Sequence, residues 1–218
     1  MKLKKIKYIF LIILIIALGI QGVYILSKTL TLSTVQKVII ITIQSLAVIG
    51  FTYFHIYGKD QKTKRNGIFI AHVIIFFIYI MNLGYVLLFD PDFGRNVENL
   101  VGYDLINLKW LRTIQLFIYG YQIGVLDLES ILMNIVGNFV IFMPMAYFLP
   151  FFFRKQRKIY IFILTIAVIV LGVEVFQVLL RTGSGDIDDW FLNVLGAVFL
   201  YLILNKPMQK LYNWLGRD

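Results

Sequence analysis

The sequence predicts an all-α integral membrane protein, a helical bundle of about six transmembrane helices. Three observations carry this. The 218 residues are 60% hydrophobic, the apolar residues gather into six long runs, and the loops between those runs alternate between basic and acidic. A run of about 20 apolar residues is long enough to span a bilayer as a helix. The candidate spans cover residues 8–27, 36–57, 67–89, 130–152, 159–180 and 190–205. The last is short, which a tilted or partly interfacial helix accommodates.

The basic residues fix the expected orientation. Lys2, Lys4, Lys5 and Lys7 precede the first span, and Lys59, Lys62, Lys64 and Arg65 lie between the second and third. Arg154, Lys155, Arg157 and Lys158 lie between the fourth and fifth, and Lys206, Lys210 and Arg217 follow the sixth. The positive-inside rule then places both termini in the cytoplasm of a multi-pass cell-membrane protein. The net charge of +9 is accounted for by these anchors beside anionic headgroups, so nucleic acid is not expected as a partner. The opposite loops are acidic: Asp90, Asp92, Glu98, Asp104, Asp127 and Glu129 in one, Asp186, Asp188 and Asp189 in the other.

The first span follows a lysine-rich start like the n-region of a signal peptide. It is too long for a usual h-region and lacks a convincing cleavage site, so it reads as a retained helix. Residues 1–66 form an N-terminal two-helix hairpin, 67–205 a four-helix transmembrane domain and 206–218 a cytoplasmic tail. His55 and His72 fall near helix ends and read as satisfied interfacial histidines rather than a proton relay. The connection from Asp90 to Glu129 is long for a structureless loop. Within it, the apolar spacing of Ile106 to Gln122 predicts an amphipathic helix on the outer leaflet, with Trp110, Tyr119 and Tyr121 at headgroup depth.

Ionisable residues at membrane depth are costly and mark candidate sites, and Glu174 to Asn193 concentrates them around a Gly-Ser-Gly turn. On the expected topology Asn134 and Asn138 share a face in the fourth span, four residues apart. Glu174, Gln177 and Arg181 follow one stripe at the outer end of the fifth, and Asn193 sits one turn into the sixth. The functional reading is an outward-facing polar pocket. The candidate catalytic residues are Glu174, Arg181, Asp186, Asp188 and Asp189, with Glu174 as acid–base. The candidate substrate-binding residues are Arg112, Asn134, Asn138, Gln177 and Asn193, with Arg112 and Arg181 suited to phosphate. The competing reading has the amides joining helices and an aspartate capping the sixth helix.

No cofactor is expected. The aspartates do not match an EF-hand loop, cysteine is absent, and no His-rich zinc set is present. The histidines belong to the other face, which excludes a Ser-His-Asp triad there. No inverted repeat points to a transporter.

The segment Asn134-Ile-Val-Gly137-Asn138-Phe-Val-Ile-Phe-Met-Pro144-Met-Ala resembles the N-x-x-G-N-x-x-x-F-x-P-x-G helix of VanZ-like membrane proteins. Glu174, Gln177, Arg181, Asp186, Asp188, Asp189, Asn193 and Gly196 resemble that family's second signature. Asn107-Leu-Lys-Trp110-Leu-Arg112-Thr-Ile is similar to its N-L-x-P-F-x-T-I segment, with Trp110 and Leu111 standing where the family has proline and an aromatic. Ala146 stands where glycine is frequent. The likeness covers about residues 68 to 205. It implies reduced susceptibility to teicoplanin and related lipoglycopeptides but supplies no mechanism; the outward-facing pocket adds the expectation of action on the drug, a lipid or a lipid-linked cell-wall precursor at the outer leaflet. Catalysis stays open: a binding protein and an enzyme acting on a lipid-linked or phosphate-bearing substrate both fit the residues.

Overall fold

The computed structural model describes residues 2–27, 32–90 and 106–216. The elements in chain order are α1 (Lys2–Leu26), α2 (Thr34–Ile56), α3 (Gln61–Leu88), β1 (Ile106–Asn107), α4 (Arg112–Gln122) and α5 (Leu128–Ile141). They continue with α6 (Met145–Phe152), a 3₁₀ turn (Arg154–Arg157), α7 (Ile159–Leu180), β2 (Gly185–Asp186) and α8 (Ile187–Leu215). Six helical segments are long and apolar enough to cross a membrane, as the apolar runs predict; this is an all-α, multi-pass membrane protein. Asp92, Glu98, Asp104 and Arg217, used above to orient the chain, lie outside the described residues.

The chain divides into two compact units, Met1–Gly84 and Tyr85–Asp218. In the first, Ser33 and Gln36 close a reciprocal capping box that starts α2, with Ser33 Oγ accepting from the Gln36 N–H and Gln36 Oε1 from the Ser33 N–H. Gly58 takes a left-handed φ of 71° in the turn to α3, a conformation glycine adopts without a Cβ penalty. The interior of this unit is joined by amides. Gln44 Nε2 donates to Gln21 Oε1 at 2.6 Å, and Gln21 Nε2 donates to Asn82 Oδ1 at 2.6 Å. Such bonds hold helices together where lipid offers no competing partner. His72 bonds the Ile68 carbonyl of its own helix and His55 stacks on Phe51.

The second unit is built around α8, which packs against α4, α5, α6 and α7. Its core holds Phe142, Phe151, Phe162, Ile166 and Val170, with Phe162 stacked on Tyr201 at 4.5 Å. Two expectations change here. The span at 130–152 is not one helix: α5 stops at Ile141 and α6 starts after Pro144. Proline lacks the N–H that would continue the ladder, and bonds such as Met145 N–H to the Phe142 carbonyl tighten the break. The span at 190–205 is longer than expected, because α8 runs 29 residues through Pro207 to Leu215. Met208, Tyr212 and Leu215 are buried, and that packing carries the helix past the proline.

A Cβ built on Gly196 of α8 would overlap the Phe139 carbonyl of α5, so the two helices touch backbone to backbone. Gly196→Ala therefore forces them apart, and overpacking of this kind costs about 1–3 kcal/mol. The expected outcome is a lower unfolding temperature in detergent, whereas Gly172→Ala, mid-helix in α7 where a Cβ meets open space, leaves it constant or raises it. A second expectation concerns the start of α5. Ser130 holds the exposed Asp127 carboxyl below its ordinary 3.8, first through its side chain and then through its N–H. A depressed carboxyl contributes stability above its unfolded pKa and loses it as pH falls through the lower, folded value. Protection factors at Leu128–Ile131, taken relative to the intrinsic exchange rate at each pH, should fall as acid removes this cap. Asp127→Asn should make them far less sensitive to pH.

Candidate functional site

The Gly-Ser-Gly turn is a helix exit followed by a strand pairing. α7 ends with Arg181 in the left-handed conformation, φ 55° and ψ 36°. The Thr182 N–H reaches back to the Gln177 carbonyl at 2.9 Å and the Arg181 N–H to Val178 at 3.2 Å. This is the Schellman pattern, with arginine at a position that glycine normally fills. The chain then extends, and Gly185 and Asp186 pair in parallel with Ile106 and Asn107.

That pairing corrects one expectation. The predicted helix over Ile106–Gln122 begins only at Arg112, because Ile106 and Asn107 are recruited into the ladder. Asn107 Oδ1 accepts from the Lys109 N–H at 3.2 Å, which turns the chain. Leu111, at φ 61°, then enters α4 with no side-chain cap of its own.

The missing cap comes from α8. Asp188 Oδ1 accepts from the Leu111 N–H at 2.7 Å, and its Oδ2 accepts from the Thr113 N–H at 3.0 Å. An aspartate far along the chain thus satisfies two orphan donors at the start of α4. Asp186 does the same for its own helix: its Oδ1 accepts from the Asp188 N–H at 2.8 Å. Its Oδ2 accepts from the Thr113 hydroxyl and from Asn107 Nδ2, the latter at 3.2 Å. The Asp186 N–H donates to Glu174 Oε2 at 3.1 Å. Glu174, Asp186 and Asp188 are all buried, and in each of these bonds the carboxylate is the acceptor.

The other candidates divide. Gln177 is buried and donates to the Leu87 carbonyl at 2.9 Å, so it ties α7 to the end of α3. Asn193 is 2% exposed and donates to the Asp189 carbonyl at 2.8 Å, an intrahelical bond. Asp189 follows Asp188 in the first turn of α8, where acidic residues complement the helix dipole. Asn134 and Asn138 face each other along α5 through a long 3.5 Å contact. No hydrogen bond among the described residues joins that pair to the carboxylates. Arg112 is the first residue of α4, half-buried beside the Asp188 cap. Arg181 is exposed, and its left-handed backbone takes it off the stripe of Glu174 and Gln177. Among the described residues no three His, Cys, Asp or Glu side chains are arranged to hold a metal ion.

Asn107 and Thr113 belong to this network through their bonds to Asp186 and were missed as site members by sequence reasoning, although both lie in the Asn107-Leu-Lys-Trp-Leu-Arg-Thr-Ile segment. Beside the network opens a groove of about 410 Å³, within the range of ordinary ligand pockets. Leu108, Leu171, Val175, Val178 and Trp190 supply apolar walls, and Glu174 and Asp186 stand at its lining. Trp190 is pinned there by its indole N–H, which donates to the Ala167 carbonyl at 3.0 Å.

A family model, VanZ/LLP1, matches residues 76–208. No curated protein and no solved structure matches the chain.

The geometry separates scaffold from chemistry in a measurable way. Asp188→Ala strands the Leu111 and Thr113 N–H groups, and stranded buried donors cost about 1–3 kcal/mol; its unfolding temperature should fall clearly. Arg181→Gly relieves a left-handed side chain, and the unfolding temperature should stay constant or rise.

Proposed function

This chain belongs to the VanZ/LLP1 family, and from that premise we propose that it lowers susceptibility to teicoplanin-type lipoglycopeptides by holding the drug's acyl chain at the outer membrane face. The observation that carries this reading is the apolar groove beside the buried carboxylates. Aliphatic walls suit an acyl chain better than a sugar or a peptide backbone, whose polar groups would lose water without gaining partners.

A magnitude favours the drug over a resident lipid. Moving an acyl chain out of water gains about 0.8 kcal/mol per buried methylene. A lipid already in the bilayer gains almost nothing on this account, because its tails are as apolar as the groove. A soluble acylated molecule arriving from the outside therefore draws most from this surface. The carboxylates support the groove rather than react in it, since Asp186 and Asp188 hold backbone donors of two helices.

A second reading keeps one specific observation. Glu174 borders the groove while its Oε2 accepts from the Asp186 N–H, so an enzyme acting on a lipid-linked or phosphate-bearing substrate would have to turn this carboxylate toward the groove to use it as acid–base. The two readings part in one experiment. Val178→Trp fills the groove and should abolish protection against an acylated glycopeptide in cells with unchanged protein levels. Glu174→Gln preserves shape and should leave at least half of that protection. Full protection in Val178→Trp sinks the binding proposal. Loss in Glu174→Gln with drug binding retained establishes the enzyme.

A further inference from the structure

The apolar groove beside the carboxylates has a closed end. On α7, Ala167, Leu171, Val175 and Val178 stand at i, i+4, i+8 and i+11, one stripe along the helix. The last three line the groove, and Ala167, one turn further, does not. The Trp190 indole accounts for the difference. It reaches from the first turn of α8 across to α7 and donates its N–H to the Ala167 carbonyl at 3.0 Å. The ring is itself part of the lining, so it stands across the stripe where Leu171 gives way to Ala167. At the other end Leu179 and Leu108 are 71% and 75% exposed, and there the groove is open.

The length of the groove follows from the helix. Leu171 and Leu179 are eight residues apart, a rise of roughly 12 Å that an extended alkyl chain of about ten carbons covers. A chain lying along α7 gains contacts with each carbon until its end meets the indole. Further carbons must bend off the stripe, where they lose the groove walls. The anchor matters here. A free indole would swing aside, whereas this one gives up a partly buried hydrogen bond by moving.

We propose that Trp190 sets the length of acyl chain the groove accepts, with the limit at about ten carbons. This rests on the acyl-binding reading above and adds a specificity-determining residue to it. Ile163, one turn beyond Ala167, continues the same apolar stripe. Removing the indole therefore joins a further stretch of α7 to the groove, while bulk added at Leu171 brings the closed end nearer the mouth. Neither Trp190 nor Leu171 takes part in the hydrogen bonds of Asp186 and Asp188, so both can be changed with that scaffold in place.

The test uses the purified full chain in amphipol and one glycopeptide core carrying linear acyl chains of graded length. Equilibrium dialysis reads the affinity of each, with binding to amphipol alone subtracted. Each methylene that enters the groove should raise affinity about fourfold. The rise should stop at about ten carbons, where the chain reaches the indole. Trp190→Ala should move this break about four carbons longer, the length of one further turn of α7. Trp190→Phe, a smaller ring without the N–H, keeps the start of α8 packed and should move it about two carbons longer. Leu171→Trp leaves the anchor in place and should move it about three carbons shorter. Thermal melting in the same amphipol establishes that each variant is folded. A break that stays at the wild-type length in Trp190→Phe overturns the proposal. Affinity that climbs through all lengths without a break also overturns it, and leaves the acyl-binding reading standing. Affinity that ignores chain length altogether sinks that reading and this proposal together.

Discussion

The second unit depends on one buried carboxylate. Asp186 caps α8 with one oxygen, holds Asn107 and Thr113 with the other, and passes its own N–H to Glu174. A buried carboxylate without donors would cost several kcal/mol, so each donor is part of what permits it. Through that residue the start of α8, the end of α7, the β1–β2 pairing and the approach to α4 share one set of bonds. Asp188 extends the set to the first turn of α4. Hydrogen bonds in such a network reinforce one another in a low dielectric, and the cost of losing one member exceeds its own bond.

The same arrangement explains why arginine can occupy a glycine-type position at the end of α7. The chain must reverse quickly enough to present Gly185 to Ile106, and the left-handed turn at Arg181 does this in one residue. A left-handed backbone costs about 1–3 kcal/mol for a residue with a side chain. The bonds made by the next residues, from Thr182 back to Gln177 and from Asp186 to Glu174, hold it there. The strain at Leu111 is held in the same way, by Asp188 acting on its N–H.

The sequence made the spans legible because 20-residue apolar runs are hard to mistake, and it located the dense polar stretch because charge is scarce around it. What it hid was set by contacts between distant segments. Nothing in Ile106-Asn107 distinguishes a helix start from a two-residue strand until Gly185-Asp186 arrives as its partner. Glu174, Gln177 and Arg181 fall on one helical stripe only if the helix persists, and the left-handed exit at Arg181 ends it. Asn134 and Asn138 were readable as a pair through their four-residue spacing, whereas their separation from the carboxylates depends on helix packing. Pro144 was visible as a residue, but the sharp break it makes between α5 and α6 follows from the tightened turn around it. The continuation of α8 beyond 205 was invisible because its cause, the seating of Tyr212 under Arg157, belongs to a neighbouring turn.

α8 joins two polar clusters. Its 29 residues span roughly 40 Å at 1.5 Å per residue, enough for a bilayer core and part of each interface. Acidic Asp188 and Asp189 stand in its first turn, and Lys206 and Lys210 lie toward its end, an order that complements the helix dipole at both termini. At the acidic end the charges are answered inside the protein, by N–H groups and by the Asn107 and Thr113 side chains. At the basic end the next acidic residue in the sequence is Asp218, beyond the last residue of α8. Tyr201 and Tyr212, eleven residues apart and so three turns along one face, bracket Arg157 from the same side. Gly196 fixes how α8 sits against α5 by direct backbone contact, and a single orientation of the helix therefore sets both ends. A rotation that exposed Asp188 would also draw Tyr212 from beneath Arg157, so the cap on α4 and the seating of Arg157 are mechanically one property of α8.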